Sequence, residues 1–214
     1  MKVLLIGGHT RNIGKTALVV DIIRAFPEAR WTAAKITQYG HGVCSINGEA
    51  CGCAPHEHAY SVDEESSREN RTDTSRFLVA GAVRSLWVRT KQGQLAEAMP
   101  ALREALSGAG NVIIESNSLM GLLRPDLYLA VLDPAHADFK ASAKLYIDRV
   151  DAAVVRLPLP DAAWNGVASS LLKTIPKYVQ ALGQALPDPL VDLVRKRCFS
   201  QASPVVPIRE HFSS

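Results

Sequence analysis

The junction between residues 2 and 26 constrains this chain more than any other stretch. An apolar run, Lys2–Ile6, passes through Gly7-Gly8-His9-Thr10-Arg11-Asn12-Ile13-Gly14 into Lys15–Phe26, where Leu18, Val19, Ile22 and Ile23 recur at helical spacing. A strand that turns through glycines straight into an amphipathic helix is the opening of a parallel crossover unit. The turn gathers successive N–H groups and a helix N-terminus around one point, a setting that attracts phosphate oxygens. Gly14 permits close backbone approach, the Lys15 ammonium would neutralise terminal phosphates, and the Thr16 hydroxyl would ligate Mg²⁺. The usual pattern leaves four residues between its first Gly and Gly-Lys-Thr. Counted from Gly8 there are five, and His9 stands where Gly is expected. Gly8, His9, Thr10, Arg11, Asn12, Ile13, Gly14, Lys15 and Thr16 are therefore the candidate nucleotide-binding residues.

Further short apolar runs at Trp31–Ile36, Val83–Val88, Val112–Ile114, Leu127–Leu132 and Ala152–Val155 read as strands, the last of them closing the sheet. Helical patterns at Asp73–Ala82, Leu95–Leu106 and near Ala141–Ile147 alternate with them. This alternation predicts an α/β chain of three layers, with a mostly parallel central sheet and helices on both faces. One domain over residues 1–214 is expected, carrying a loop insertion at about 40–70. Residues from Asp161 onward read as helix interrupted at Pro176, Pro187 and Pro189, with an irregular tail after Ser203. A chain of 214 residues that is 47% hydrophobic and 21% charged can build a core, which excludes wholesale disorder. Its net charge of +3 is too small to make nucleic acid or an anionic membrane the main partner. No apolar run reaches membrane-spanning length, and the first block is too short for a signal sequence. Four Cys do not make a disulfide framework in a chain this long, so a cytoplasmic protein with reduced thiols is expected.

Ligands of such sheets sit at the carboxyl ends of the strands, and polar residues of interest fall there. Lys35 comes at the end of the second run and Glu115 directly after the fourth. Glu115 would bind Mg²⁺ directly or through water, or activate a nucleophile. Asp73 would support the ion or a water, and is equally read as a helix N-cap. Lys35 is either a functional cation or a strand-end Lys that reaches solvent. Asn117 would hydrogen-bond a nucleotide or substrate. The segment Gly40–Asn70 is polar and without periodicity, and His41, Cys44, Cys51, Cys53, His56 and His58 crowd into it. Cys44, Cys51, Cys53 and His56 supply enough donors for a tetrahedral Zn²⁺ site. A redox-active or substrate-gripping thiol, or a plain polar loop, are the alternatives. Cys198 reads as a half-buried thiol on a helix. The stretch after Val155 lacks the Asn/Thr-Lys-x-Asp pattern of a guanine reader, so the choice between ATP and GTP stays open.

The five-residue spacing resembles the loop of dethiobiotin synthetase and of the cobyrinate amidating enzymes, where Gly-x5-Gly-Lys-Thr holds ATP. A broader likeness covers about residues 1–135. Lys35-Ile36, the acidic stretch to Ser61-Val62-Asp63, the run Asp73-Thr74-Ser75-Arg76-Phe77-Leu78-Val79-Ala80-Gly81-Ala82, and Val112-Ile113-Ile114-Glu115-Ser116-Asn117 together resemble the molybdopterin-guanine dinucleotide biosynthesis accessory proteins (the MobB family). That family has His where Ile36 stands and Gly after the acid, where this chain has Ser116-Asn117-Ser118. The resemblance implies a P-loop NTPase that binds ATP or GTP with Mg²⁺ and hydrolyses it or transfers a phosphoryl group in cofactor biosynthesis. Catalytic roles are expected for Lys15, Lys35 and Glu115, and the resemblance to dethiobiotin synthetase implies that Lys35 stabilises charge on a transferred phosphoryl group or binds an acidic substrate. Thr16, Asp73 and Glu115 would hold Mg²⁺. A homodimer and a cofactor-biosynthesis protein are the implied partners. Two other functions remain: a nucleotide-switched metal-binding or cofactor-delivery adaptor that uses the Cys/His loop, and an ATP-dependent ligase like dethiobiotin synthetase.

Overall fold

The computed structural model describes residues 1–40, 59–156, 164 and 166–199. Among these residues eight strands form one sheet: β1 (Lys2–Gly8), β2 (Thr32–Tyr39), β3 (Tyr60–Glu64), β4 (Arg84–Lys91), β5 (Asn111–Glu115), β6 (Leu127–Leu132), β7 (Ala152–Val155) and β8 (Lys177–Val179). Their spatial order is β3-β4-β2-β5-β1-β6-β7-β8. Every pairing is parallel except β3 with β4. The helices are α1 (Lys15–Ala25), α2 (Asp73–Ala80), α3 (Leu95–Ala105), α4 (Ala141–Lys144), α5 (Ser169–Thr174) and α6 (Asp188–Cys198).

The sheet divides two apolar layers, as the period of two along its strands requires. On one side Leu4 and Ile6 pack with Leu18, Ile22 and Ile23 of α1, Phe77 of α2, and Leu190 and Val194 of α6. On the other, Leu5, Val112 and Ile114 pack with Leu95, Ala98 and Leu102 of α3 and with Leu119, Phe139 and Leu172. The central strands read as unbroken apolar runs because both of their faces are covered. The three-layer α/β prediction therefore holds.

Four details depart from the sequence reading. β2 continues past Ile36 to Tyr39, with Thr37, Gln38 and Tyr39 opposite Arg89, Thr90 and Lys91 of β4. Lys35 is consequently inside the strand rather than at its end. The polar 40–70 segment contains β3, an antiparallel edge strand. Asp63 there pairs with Arg89 at 2.5 Å, and Glu64 with Arg84 at 2.6 Å. The sheet does not close at β7, since β8 adds to it. Finally, the α2 N-cap is Thr72 and not Asp73: Thr72 Oγ1 accepts the Ser75 N–H and Ser75 Oγ accepts the Thr72 N–H, a reciprocal capping box. Cys44, Cys51, Cys53 and His56, with their expected Zn²⁺ site, lie outside the described residues. Cys198 is buried at the end of α6, where burial pushes its thiol up to about 11. Among the described residues, no helix is long and apolar enough to cross a membrane.

The Thr72 box fixes where α2 starts and so where Asp73 sits. Thr72→Ala should lower stability by about 1 kcal/mol, read as a shift of the urea midpoint at unchanged slope.

Candidate functional site

The turn between β1 and α1 is held by side chains from across the sheet. Asn117, just past β5, grips Gly8 at both ends: its Oδ1 accepts the Gly8 N–H and its Nδ2 donates to the Gly8 carbonyl, each at 2.8 Å. A Cβ on Gly7 would collide with that same Asn117 amide. The His9 imidazole is buried and faces away from the turn's mouth, against Phe139 and Trp164. Its Nε2 accepts the Asp133 N–H at 3.0 Å, so its proton sits on Nδ1, which donates to the Asp138 carbonyl at 2.8 Å. The Thr10 hydroxyl donates to Asp138. Gly14 has φ of 86°, and a Cβ there would lie 2.6 Å from Leu182 and 3.1 Å from the Arg156 guanidinium. Arg156, 2% exposed at the end of β7, donates to the Gly14 carbonyl at 2.8 Å and to Gln180 Oε1 at 2.7 Å.

Four carbonyls of the turn are engaged by donors. Carbonyls of Gly8, His9, Thr10 and Gly14 are taken by Asn117, the Lys140 N–H, Lys15 Nζ and Arg156. Among the described residues, the N–H groups from Arg11 to Thr16 meet no protein acceptor. Arg11 and Asn12 are exposed and Gly14, Lys15 and Thr16 half-buried, so these N–H groups are open to an acceptor from outside the chain.

A charged cluster adjoins the turn. Lys35 lies directly across from Glu115 in the β2–β5 register. Its ammonium donates to Asp73 and, at 3.3 Å, to Glu115 Oε1. Glu115 Oε2 accepts the Thr16 hydroxyl at 2.7 Å. Burial pulls the Lys35 pKa down, but Glu115 and Asp73 together more than offset that and hold it above its ordinary value. Lys15 has no such pair: burial pushes it down to about 8, Glu115 opposes this, and Lys140 and Lys35 reinforce it.

Both groups open on a cleft of about 1080 Å³, lined among others by Arg11, Asn12, Gly14, Lys15, Thr16, Lys35, Asp73, Glu115 and Asn117. Gly8, His9, Thr10 and Ile13 of the candidate set do not line it. Among the described residues, the cleft carries five cationic side chains, Arg11, Lys15, Lys35, Arg76 and Lys140, against the two carboxylates Asp73 and Glu115. Thr16, Asp73 and Glu115 offer the oxygen donors that a hard divalent cation takes. Among the described residues, no three His, Cys, Asp or Glu side chains converge on one point. Mg²⁺ is commonly held by one or two carboxylates and completes its shell with phosphates and water. The sequence reading missed Arg156, Lys140 and Asp138. Arg156 had a visible signal, because a lone charge ending the apolar run Ala152–Val155 repeats the pattern that exposes Glu115.

No protein-family model matches the chain, and no curated protein matches it. Solved structures do. HypB from Helicobacter pylori, in complex with nickel, aligns over 95% of this chain and 91% of its own at 15% identity and a TM-score of 0.52. The "apo" form of LpxK from Aquifex aeolicus in complex with ATP aligns over 84% of this chain and 53% of its own, at 15% identity and a TM-score of 0.44. The MinC:MinD cell division protein complex of Aquifex aeolicus aligns over 92% and 86%, at 12% identity and a TM-score of 0.42. The fold is the three-layer α/β P-loop NTPase fold.

His9 couples this turn to pH. Burial holds its imidazole below the ordinary value of 6.5, so below about that pH the unfolded chain binds the extra proton more readily. The stability that neutral His9 contributes is present above pH 6.5 and is lost as pH falls toward the folded value. The stability gap between wild type and His9→Phe, from urea unfolding at pH 7.5 and 5.5, should shrink at the lower pH.

Proposed function

We propose that this chain binds a nucleoside triphosphate with Mg²⁺ and hydrolyses it or transfers its terminal phosphoryl group. The observation that carries this reading is the row of unpartnered N–H groups from Arg11 to Thr16 at the mouth of a cleft whose cations outnumber its acids. A chain of phosphates satisfies both features at once: its oxygens accept from the amides, and its charge offsets Arg11, Lys15 and Lys140.

The roles follow from position. Backbone amides of the 11–16 turn orient the phosphates. Lys15 now donates to the Thr10 carbonyl at 2.6 Å and turns to the terminal phosphates when they arrive. Thr16, Asp73 and Glu115 hold the ion, which when bound neutralises charge on the phosphate oxygens. Lys35 stabilises charge that develops on the transferred group. Gly8 and His9 shape the turn from behind, Thr10 ties it to Asp138, and Ile13 packs beneath it. Asn117 is a positioning residue, since both ends of its amide are engaged by Gly8. Within this reading a role in cofactor biosynthesis like that of the MobB family is preferred to a dethiobiotin-synthetase-like ligase, because the family likeness extends over several elements and the ligase likeness over the loop alone.

A second reading has one specific observation in its favour. The Cys/His stretch follows β2 in the sequence, and Tyr39 at the end of β2 lines the same cleft. An adaptor whose nucleotide state moves a Zn²⁺- or Ni²⁺-binding loop would be wired this way. The nickel in the HypB complex suggests the metal to assay. Metal that copurifies in stoichiometric amount and is lost in Cys51→Ser/Cys53→Ser supports the adaptor; metal-free, fully active protein supports the plain enzyme.

Calorimetry with ATP and GTP, with and without Mg²⁺, tests the main reading. Lys15→Ala should keep its fold and lose at least about tenfold in affinity, as expected when a partly buried charge loses its partner. Unchanged titrations would count against the assignment. The lowered Lys15 pKa adds a pH signature. Above about pH 8 the free ammonium is largely deprotonated and the phosphate-bound one is not. Affinity should therefore fall as pH rises through 8, with a proton taken up on binding that buffers of different ionisation enthalpy reveal.

A further inference from the structure

We propose that Lys35 is a built-in counter-cation of the metal cradle: its ammonium holds Asp73 and Glu115 together until a divalent cation enters, and then crosses to the terminal phosphate. The second half of this exchange rests on the nucleotide-binding reading; the first half stands on the geometry of the cradle alone.

Three elements deliver an oxygen to one place: Thr16 at the start of α1, Asp73 at the start of α2, and Glu115 at the end of β5. Two carboxylates brought so close repel unless a cation sits between them. Lys35 is that cation. Its Nζ donates to Asp73 Oδ2 and to Glu115 Oε1, while Glu115 Oε2 takes the Thr16 hydroxyl. Arg76 reaches only the other Asp73 oxygen, at 3.6 Å, and leaves Glu115 untouched. The same oxygens are what a hard divalent ion would take. An ammonium and a divalent ion compete for these two carboxylates, because two cations so close repel in a partly buried setting. Lys35 therefore gives up its place when the ion binds.

Where it goes is also constrained. Its Cα is fixed inside β2, between β4 and β5, so only the four-carbon stem can move. The cleft already holds Arg11, Lys15, Arg76 and Lys140, and among the described residues an ammonium released into it has no second pair of carboxylates to meet. An incoming phosphate is the anion within its reach. Metal loading and the arrival of a second lysine at the phosphate thus become one event. The cradle keeps its carboxylates paired in the free protein, and nucleotide and ion each favour the binding of the other.

Mn²⁺ binding to nucleotide-free protein, followed by loss of the free-ion resonance, tests the first half. Lys35→Gln should bind Mn²⁺ about tenfold more tightly than wild type, and Lys35→Arg, which keeps the charge, should match wild type. Equal affinity in wild type and Lys35→Gln overturns the proposal. A measurement on the wild-type chain guards against a variant that does not fold. Acylation of Lys35 by a small anhydride, read by mass spectrometry, should rise when Mn²⁺ alone is added; unchanged labelling overturns the proposal. ATP with Mn²⁺ should protect Lys35 again and ADP with Mn²⁺ should not; equal labelling with both removes the second half. If no nucleotide binds at all, the function proposed above fails, while the Mn²⁺ arms still decide whether Lys35 guards the cradle.

Discussion

A backbone turn can offer its N–H groups to a ligand only if its carbonyls are occupied elsewhere. That constraint ties the turn after β1 to segments from the second half of the chain. Carbonyl oxygens left free in the mouth would repel an anion as strongly as the amides attract it. Here the carbonyls of Gly8, His9, Thr10 and Gly14 are each claimed by a donor from another segment or, for Thr10, by Lys15. The donors come from residues 117, 140 and 156, which follow β5, β6 and β7. The parallel sheet is what makes this possible, since it places the ends of β5, β6 and β7 around the end of β1. The fold and the site are thus one structure: a sheet built in another order would leave the turn unsupported.

The charges beside the turn obey a second logic. Lys35 and Lys15 are both lysines, both partly buried, and both on the same cleft, yet their acidities are pushed in opposite directions. Lys35 faces two carboxylates and stays charged. Lys15 faces a carbonyl, with other cations nearby, and is held near 8. One lysine is satisfied by the protein and the other is left short of negative charge. An electrostatic deficit at Lys15 is what a phosphate chain would relieve, while Lys35 already has its carboxylate partners.

How much of this was legible in the sequence follows from burial. β1, β5, β6 and β7 are covered on both faces, so their apolar runs announce them. The end of β2 and all of β3 carry polar residues, because one lines a cleft and the other is an edge strand paired through Arg84 and Arg89. Neither gives an apolar signal. β8 is three residues long and too short for periodicity to register. At the site, Lys15, Thr16, Lys35, Glu115 and Asp73 could be named from local pattern, since each sits at or near a junction. Their partners could not. That Lys35 meets Asp73, or that Arg156 reaches back to Gly14, depends on strand order, which local sequence does not encode. Asn117 shows the difference: its place beside the turn was visible, but not that both ends of its amide would be used by Gly8.

The long spacing of the turn has a structural explanation. The usual motif has four residues between its first Gly and Gly-Lys-Thr, and this chain has five after Gly8. His9, however, does not behave as a loop residue. Its N–H continues the sheet by donating to the Val131 carbonyl at 3.3 Å, and its own carbonyl accepts the Lys140 N–H at 2.8 Å. Its side chain turns inward to the 133–139 segment. The free turn thus begins at Thr10, and Thr10, Arg11, Asn12 and Ile13 span the distance to Gly14. Four residues remain, with Asn12 and Gly14 both at positive φ to close the curve. The extra residue has become an anchor that ties the turn to the β6 end of the sheet, and a Gly at that position would supply neither the ring contacts nor the two imidazole hydrogen bonds. The departure from the motif at His9 and the extra length of the loop are therefore the same feature.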